Sequence, residues 1–185
     1  MHQRDRSTWS ANLYFLQGIA GITKTRHRKN FELQGVDLGK ARAVGGLLDV
    51  SLMLTPNLSL SGRAAGQHAL TPLPSSMTFS VGSDVGLRGF PGSLVSGDNG
   101  WLGVSELVWT AWSDGQQALQ IVPFMGIGGI RTNVLDVVFE DKIGSGGIIA
   151  RYIKGPWQME LGWVDTFMTD DNPGLWNDWV LGHGL

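Results

Sequence analysis

The sequence predicts an all-β fold: an antiparallel up-and-down β-barrel of the transmembrane type, with about eight strands. Three observations predict it. Apolar and polar residues alternate with period two in segment after segment, while glycines break up most helical windows and no i, i+3, i+4, i+7 pattern is sustained. The connections between these segments alternate short and long, the arrangement of a barrel with tight turns on one side of a bilayer and long loops on the other. Tryptophans gather at segment ends, where an indole ring meets the headgroup level of a membrane. A soluble barrel or sandwich with tryptophan plugging its ends carries the same signature, so pattern alone leaves the surrounding medium open.

The first strand is expected over residues 8–18, with Trp9, Ala11, Leu13 and Phe15 on one face and Ser10, Asn12 and Tyr14 on the other. The second, over 47–54, sets Leu48, Val50, Leu52 and Leu54 against Asp49 and Ser51, and Thr55-Pro56-Asn57 then signals a tight turn. Residues 58–68 oppose Leu58, Leu60 and Ala64 to Ser59, Ser61, Arg63 and Gln67. A long Gly/Ser/Pro-rich connection occupies about 69–100. Strands resume over 101–112, turn at Ser113-Asp114-Gly115-Gln116, and continue over 118–130, where Leu119, Ile121, Met125 and Ile127 face away from Gln120, Phe124, Gly126 and Gly128. Segment 143–153 leads through Lys154-Gly155-Pro156 into 156–167, with Trp157, Met159, Leu161 and Trp163 opposite Gln158 and Glu160. A last strand starts near Asn177. Further long connections are expected at 19–46, 131–142 and 168–176.

Composition removes several classes. The 185 residues contain no cysteine, which excludes disulfide frameworks, thiolate metal sites and cysteine nucleophiles. A net charge of -2 offers no bulk attraction to nucleic acid. No apolar run reaches the length of a membrane-spanning helix, and no signal peptide is evident at the N-terminus. Four histidines are scattered without ligand spacing, so no metal site is expected; Asp84, Asp98, Asp170, Asp171 and Asp178 lack a calcium-loop pattern and read as solvated loop acids. The basic cluster Lys24 to Lys29 could touch an acidic partner or lipopolysaccharide, with a solvated loop as the default. Gly126-Ile127-Gly128-Gly129 lies in a strand with no helix after it and is no phosphate loop, and no nucleophile elbow supports a Ser/His/Asp triad. Neither catalysis nor a cofactor is expected.

Within the longest connection the chain reads Leu87-Arg88-Gly89-Phe90, followed by Ser96-Gly97-Asp98-Asn99-Gly100-Trp101 and then a strand containing Glu106-Leu107. This run resembles the signature of two-partner-secretion outer-membrane transporters of the haemolysin secretion/activation type, which carry Val-Arg-Gly-Tyr/Phe in a long loop folded into the barrel lumen. The resemblance implies that this chain is the C-terminal half of a sixteen-stranded barrel in the bacterial outer membrane, from about the ninth strand to the start of the last. It also implies a pore that secretes a large partner protein, controlled by the loop bearing Leu87, Arg88, Gly89 and Phe90. Ser59, Ser61, Arg63, Gln67, Gln120, Phe124, Gln158 and Glu160 would line that lumen. Partners would be the secreted protein, outer-membrane lipid or lipopolysaccharide, and either the missing N-terminal barrel half or another copy of the chain.

The family pairs its loop arginine with an aspartate in Phe-x-Asp-x-Gly. The matching stretch here is Phe124-Met125-Gly126-Ile127-Gly128, so Gly126 replaces that aspartate and Glu106 is the candidate substitute partner for Arg88. The family's periplasmic modules, plug helix and terminal aromatic residue have no counterpart in this sequence. Two alternatives therefore stand beside the exporter: a truncated, membrane-embedded fragment without transport activity, and a soluble β-barrel holding a small apolar ligand, which would need the Leu48/Val50/Leu52 face turned inward.

Overall fold

The computed structural model describes residues 6–19, 35–90, 92–134 and 137–170. The strands are β1 (Ser7–Gln17), β2 (Arg42–Thr55), β3 (Leu58–Ala69), β4 (Phe79–Gly82), β5 (Ser93–Gly97), β6 (Asn99–Ser113), β7 (Gln117–Val134), β8 (Val137–Lys154) and β9 (Trp157–Asp170). Seven of them form one antiparallel meander in the order β1-β2-β3-β6-β7-β8-β9, and β4 pairs with β5 in a separate two-stranded sheet. The all-β alternation is therefore realised, and most of its strands run longer than the sequence pattern delimits.

The large sheet is open, which corrects the expected closed transmembrane barrel. Every neighbouring pair in it is antiparallel, so β1 and β9, six reversals apart, run in the same direction. Joining these edges directly would need a parallel pair at the seam, and neither edge has a further strand beside it among the described residues. The pore, and with it a lumen for residues to line, is not formed by this sheet, and no membrane-spanning element is established by it. The long connections also differ from expectation, β2 starting at Arg42 within the expected 19–46 connection and β9 running to Asp170 within 168–176. The segment 131–142 is mostly strand: β7 and β8 pair from Gln117↔Lys154 out to Val134↔Val137, so the backbone ladder runs on past the end of the apolar/polar alternation. The connection 69–100 is not wholly irregular but contains β4 and β5. The strand expected from Asn177, with Trp176 and Trp179, and the basic cluster 24–29 lie outside the described residues.

Register sorts the side chains into two faces. In-register partners such as Trp9↔Val50, Leu60↔Leu107, Ile127↔Gly144 and Ile148↔Trp163 build one continuous apolar face. That face is uncovered: Leu13 is 88% exposed and Leu161 81%. Trp9, Trp101, Trp109, Trp112, Trp157 and Trp163 are exposed as well. The opposite face carries Ser61, Arg63, Glu106, Gln120, Arg151 and Glu160, and the 69–100 connection packs on it. Its core joins Val81, Leu87 and Val95 of the connection to Leu102, Ile130 and Ile143 of the sheet.

The β6–β7 turn is fastened by Asp114, whose carboxylate accepts backbone N–H bonds from Gln116 (2.9 Å) and Gln117 (2.7 Å). These bonds hold the Asp114 carboxyl below the usual aspartate range. A depressed folded-state pKa contributes stability above the unfolded value, near 3.9, and the contribution is lost as pH falls through the folded value. The amide protons of Gln116 and Gln117 are accordingly expected to titrate together by NMR with a midpoint below that of free aspartate. A midpoint at or above it would remove this account of the turn.

Candidate functional site

The site is the tip of the 69–100 connection where it lies on the polar face of the sheet. Gln67, on β3, fixes its base. The buried carboxamide accepts from the Tyr14 hydroxyl (3.1 Å) and donates to the carbonyls of Met77 (2.8 Å) and Asp98 (3.3 Å), tying the outgoing and returning arms together. Asp98 lies at the foot of the returning arm, where burial pushes its carboxyl above the usual range. Between the two arms, the β4–β5 ribbon places Leu87, Arg88 and Gly89 over β6 to β9.

Leu87 is fully buried. It occupies the space above Gly126: a Cβ added at that glycine would stand 2.6 Å from Leu87 Cδ2 and 2.7 Å from Val104 Cγ1. The family pattern has the smaller valine in the loop and the larger aspartate on the strand. Here the sizes are exchanged, and an apolar plug stands where a carboxylate would. Gly89 has φ +87°, and a Cβ there would stand 2.6 Å from Val164 Cγ1 and 2.9 Å from Thr166 Cγ2, so only glycine lets the backbone pass this close to β9. Phe90 packs, partly buried, on the edge of the same core.

Arg88 lies with its guanidinium 5.6 Å from the centre of the Phe124 ring. Its Nε and Nη2 donate to Glu106 Oε1 at 3.0 and 2.9 Å. Its Nη1 stands 3.6 Å from Glu160 Oε2. Glu160 is further held by Arg151 Nε at 2.6 Å and Gln158 Nε2 at 3.0 Å, both donating to Oε1. The two glutamates belong to β6 and β9, with β7 and β8 between them. The register row from Glu106 runs through Phe124 and Gly147 to Val164. On a flat sheet Glu160 would therefore lie roughly 14 Å across and 13 Å along from Glu106. One guanidinium reaches both, so the sheet curls towards the loop.

The sequence-predicted site residues thus separate into groups. Leu87, Arg88, Gly89, Phe90, Glu106, Phe124, Gln158 and Glu160 come together under the loop tip. Gln67 is at the loop base, buried rather than exposed to a channel. Arg63 pairs with Asp49 (2.7 Å), and with Ser61 and Glu106 they line a cleft beside Val85 and Gly86 of the loop. Ser59 shares this face further along β3, and Gln120 donates to Thr110 Oγ1 at 3.5 Å. Sequence reasoning missed the contact of Glu160 with Arg88, the part of Arg151, and Ser145, whose Oγ is buried with no hydrogen-bond partner. The period-two pattern puts Arg151 and Glu160 on polar positions of their strands, but only the pairing register sets those two opposite one another and Ser145 between Gly126 and Thr166.

The family model of the haemolysin secretion/activation protein ShlB/FhaC/HecB matches residues 1–133, from β1 through nearly all of β7 and including the loop. The chain belongs to this family. No curated protein and no solved structure matches it. The ShlB-type match leaves β8 and β9 outside, so the whole-chain resemblance narrows to 1–133 and does not establish the chain as the C-terminal barrel portion. Membership points to an outer-membrane-associated protein. The open sheet overturns the further expectation that this chain is itself a secretion pore.

Proposed function

We propose that this chain is a membrane-embedded β-sheet unit of a ShlB-type protein, which carries the in-folded loop and has no transport activity by itself. One observation carries the reading: every strand of the open sheet turns an uncovered apolar face one way and a polar, loop-bearing face the other. Contiguous exposed apolar surface on this scale is foreign to monomers in water and suits contact with outer-membrane lipid. In hydrocarbon each unpaired backbone group costs several kcal/mol, so the edges of β1 and β9, unpaired among the described residues, require further strands beside them. The secreted protein of the haemolysin type is the partner this unit would serve once those strands are in place. No catalysis enters the proposal.

A soluble barrel enclosing an apolar ligand fits less well, because the Leu48/Val50/Leu52 face points away from the loop-bearing core and Leu48 is exposed. The test is reconstitution of the purified chain. It is expected to require detergent to remain dispersed and to give no conductance steps in a planar bilayer. Monodisperse behaviour in plain buffer would overturn the membrane assignment, and stable single-channel steps would overturn the lack of transport.

A further inference from the structure

We infer that Glu160 is the far anchor of the loop, a positioning residue through which the edge strand β9 and the loop hold each other in place. The inference goes beyond the membrane reading and rests on the loop geometry alone. Arg151 and Gln158 both donate to Oε1 of Glu160, which orients the carboxylate and leaves Oε2 as the oxygen nearest Arg88, at 3.6 Å from Nη1. Gly89 lies against Val164 and Thr166, so the loop backbone touches β9 independently of the ion pair. Among the described residues β9 has β8 as its one neighbour in the sheet, and contacts reaching it from the loop therefore add to what resists its fraying. These anchor residues all lie beyond residue 133, outside the family match, so the tie is read from this chain rather than from the ShlB pattern.

Ser145 adds a counterweight. It pairs in register with Gly126 on one side and Thr166 on the other, and those two positions lie against Leu87 and Gly89. The seated loop thereby spans the row in which the Ser145 hydroxyl is buried without a partner, a group that water would satisfy were the loop to lift. The anchor at Glu160 and the unpaired hydroxyl at Ser145 pull the loop in opposite directions.

Trypsin reads this directly, because Arg88–Gly89 is itself a cleavable bond when Arg88 is free. In the purified 185-residue chain in detergent micelles, Glu160→Gln is expected to speed that cut roughly two- to fivefold, the range of a half-exposed ion pair. Cleavage after Lys40, an exposed turn residue before β2, serves as the control and is expected to stay unchanged. Ser145→Ala is expected to slow the cut after Arg88. The tie is reciprocal, so Arg88→Gln is expected to speed amide exchange in β9 around Glu160–Val164 by a similar factor and to leave β2 unaffected. An unchanged rate after Arg88 in Glu160→Gln, or equal acceleration after Lys40, overturns the inference. Should that variant fail to fold, unchanged β9 exchange in Arg88→Gln overturns it. Failure here leaves the detergent and conductance results standing, so the two readings fall separately.

Discussion

Replacing Gly126 by aspartate, the residue of the family's Phe-x-Asp-x-Gly pattern, is expected to unseat the loop rather than lock it. The first side-chain atom would stand 2.6 Å from Leu87 Cδ2 and 2.7 Å from Val104 Cγ1, and Leu87 is fully enclosed with no room to retreat. Overpacking of this kind costs about 1–3 kcal/mol. A carboxyl group forced into the apolar pocket of Leu87, Val104 and Leu102 adds a desolvation cost of about the same size. Together these exceed the half-exposed Arg88–Glu106 ion pair, for which about 0–1 kcal/mol is ordinary. Gly126→Asp should therefore raise tryptic cleavage after Arg88 by more than tenfold. Adding Leu87→Val, which restores the family's smaller loop residue, should recover part of the protection. Protection of Gly126→Asp equal to that of the parent chain would show that the pocket is not filled as described.

Leu87→Ala is expected to release the loop more completely than Arg88→Gln does. Truncating a fully buried leucine costs about 2–5 kcal/mol, transfer and cavity together, and here the loss falls on the seated state alone if the sheet persists without the loop. About 3 kcal/mol corresponds to roughly a hundredfold faster cut in the alanine variant at unchanged Arg88. Removing the charge at Arg88 should loosen loop-tip amide exchange only severalfold. The order of the two effects is the informative part. If exchange at Leu87–Phe90 accelerates more in Arg88→Gln than in Leu87→Ala, then the ion pairs seat the loop and the leucine merely fills space. With the predicted order, Val81, Leu87 and Val95 supply the grip, and Arg88 chooses where along the sheet the grip is taken.

Several parts of this arrangement were legible without coordinates. Arg88 among glycines reads by itself as an exposed loop arginine; the family resemblance is what implies an inward role for it and makes Glu106 its candidate partner. The Gly126 departure from the family pattern is visible as a missing acid. What replaces that acid is not visible, because nothing in a linear pattern says that Leu87 descends onto Gly126. Glu160 sits on a polar face by alternation, yet its approach to Arg88 depends on the curl of β6 to β9, which no local spacing encodes. The resemblance, together with its polarity, implies a place for Gln67 on a lumen wall. In the structure its polarity serves the loop base instead, since each of its bonds goes to a backbone or side chain brought in from elsewhere.

Alternation along the chain is enough to delimit, in outline, the seven strands of the large sheet, their two faces and the position of the loop. These follow from period-two alternation and from glycine and proline punctuation, which are properties of neighbours along the chain. Tertiary structure alone decided that the seven-stranded sheet stays open, that the 131–142 segment prolongs a hairpin, and that one guanidinium serves two strands separated by two others. Edge pairing, register and curvature are relations between residues far apart in sequence. Each strand satisfies its own alternation equally well in a closed barrel and in an open sheet, so only the assembled hydrogen-bond ladder could distinguish them.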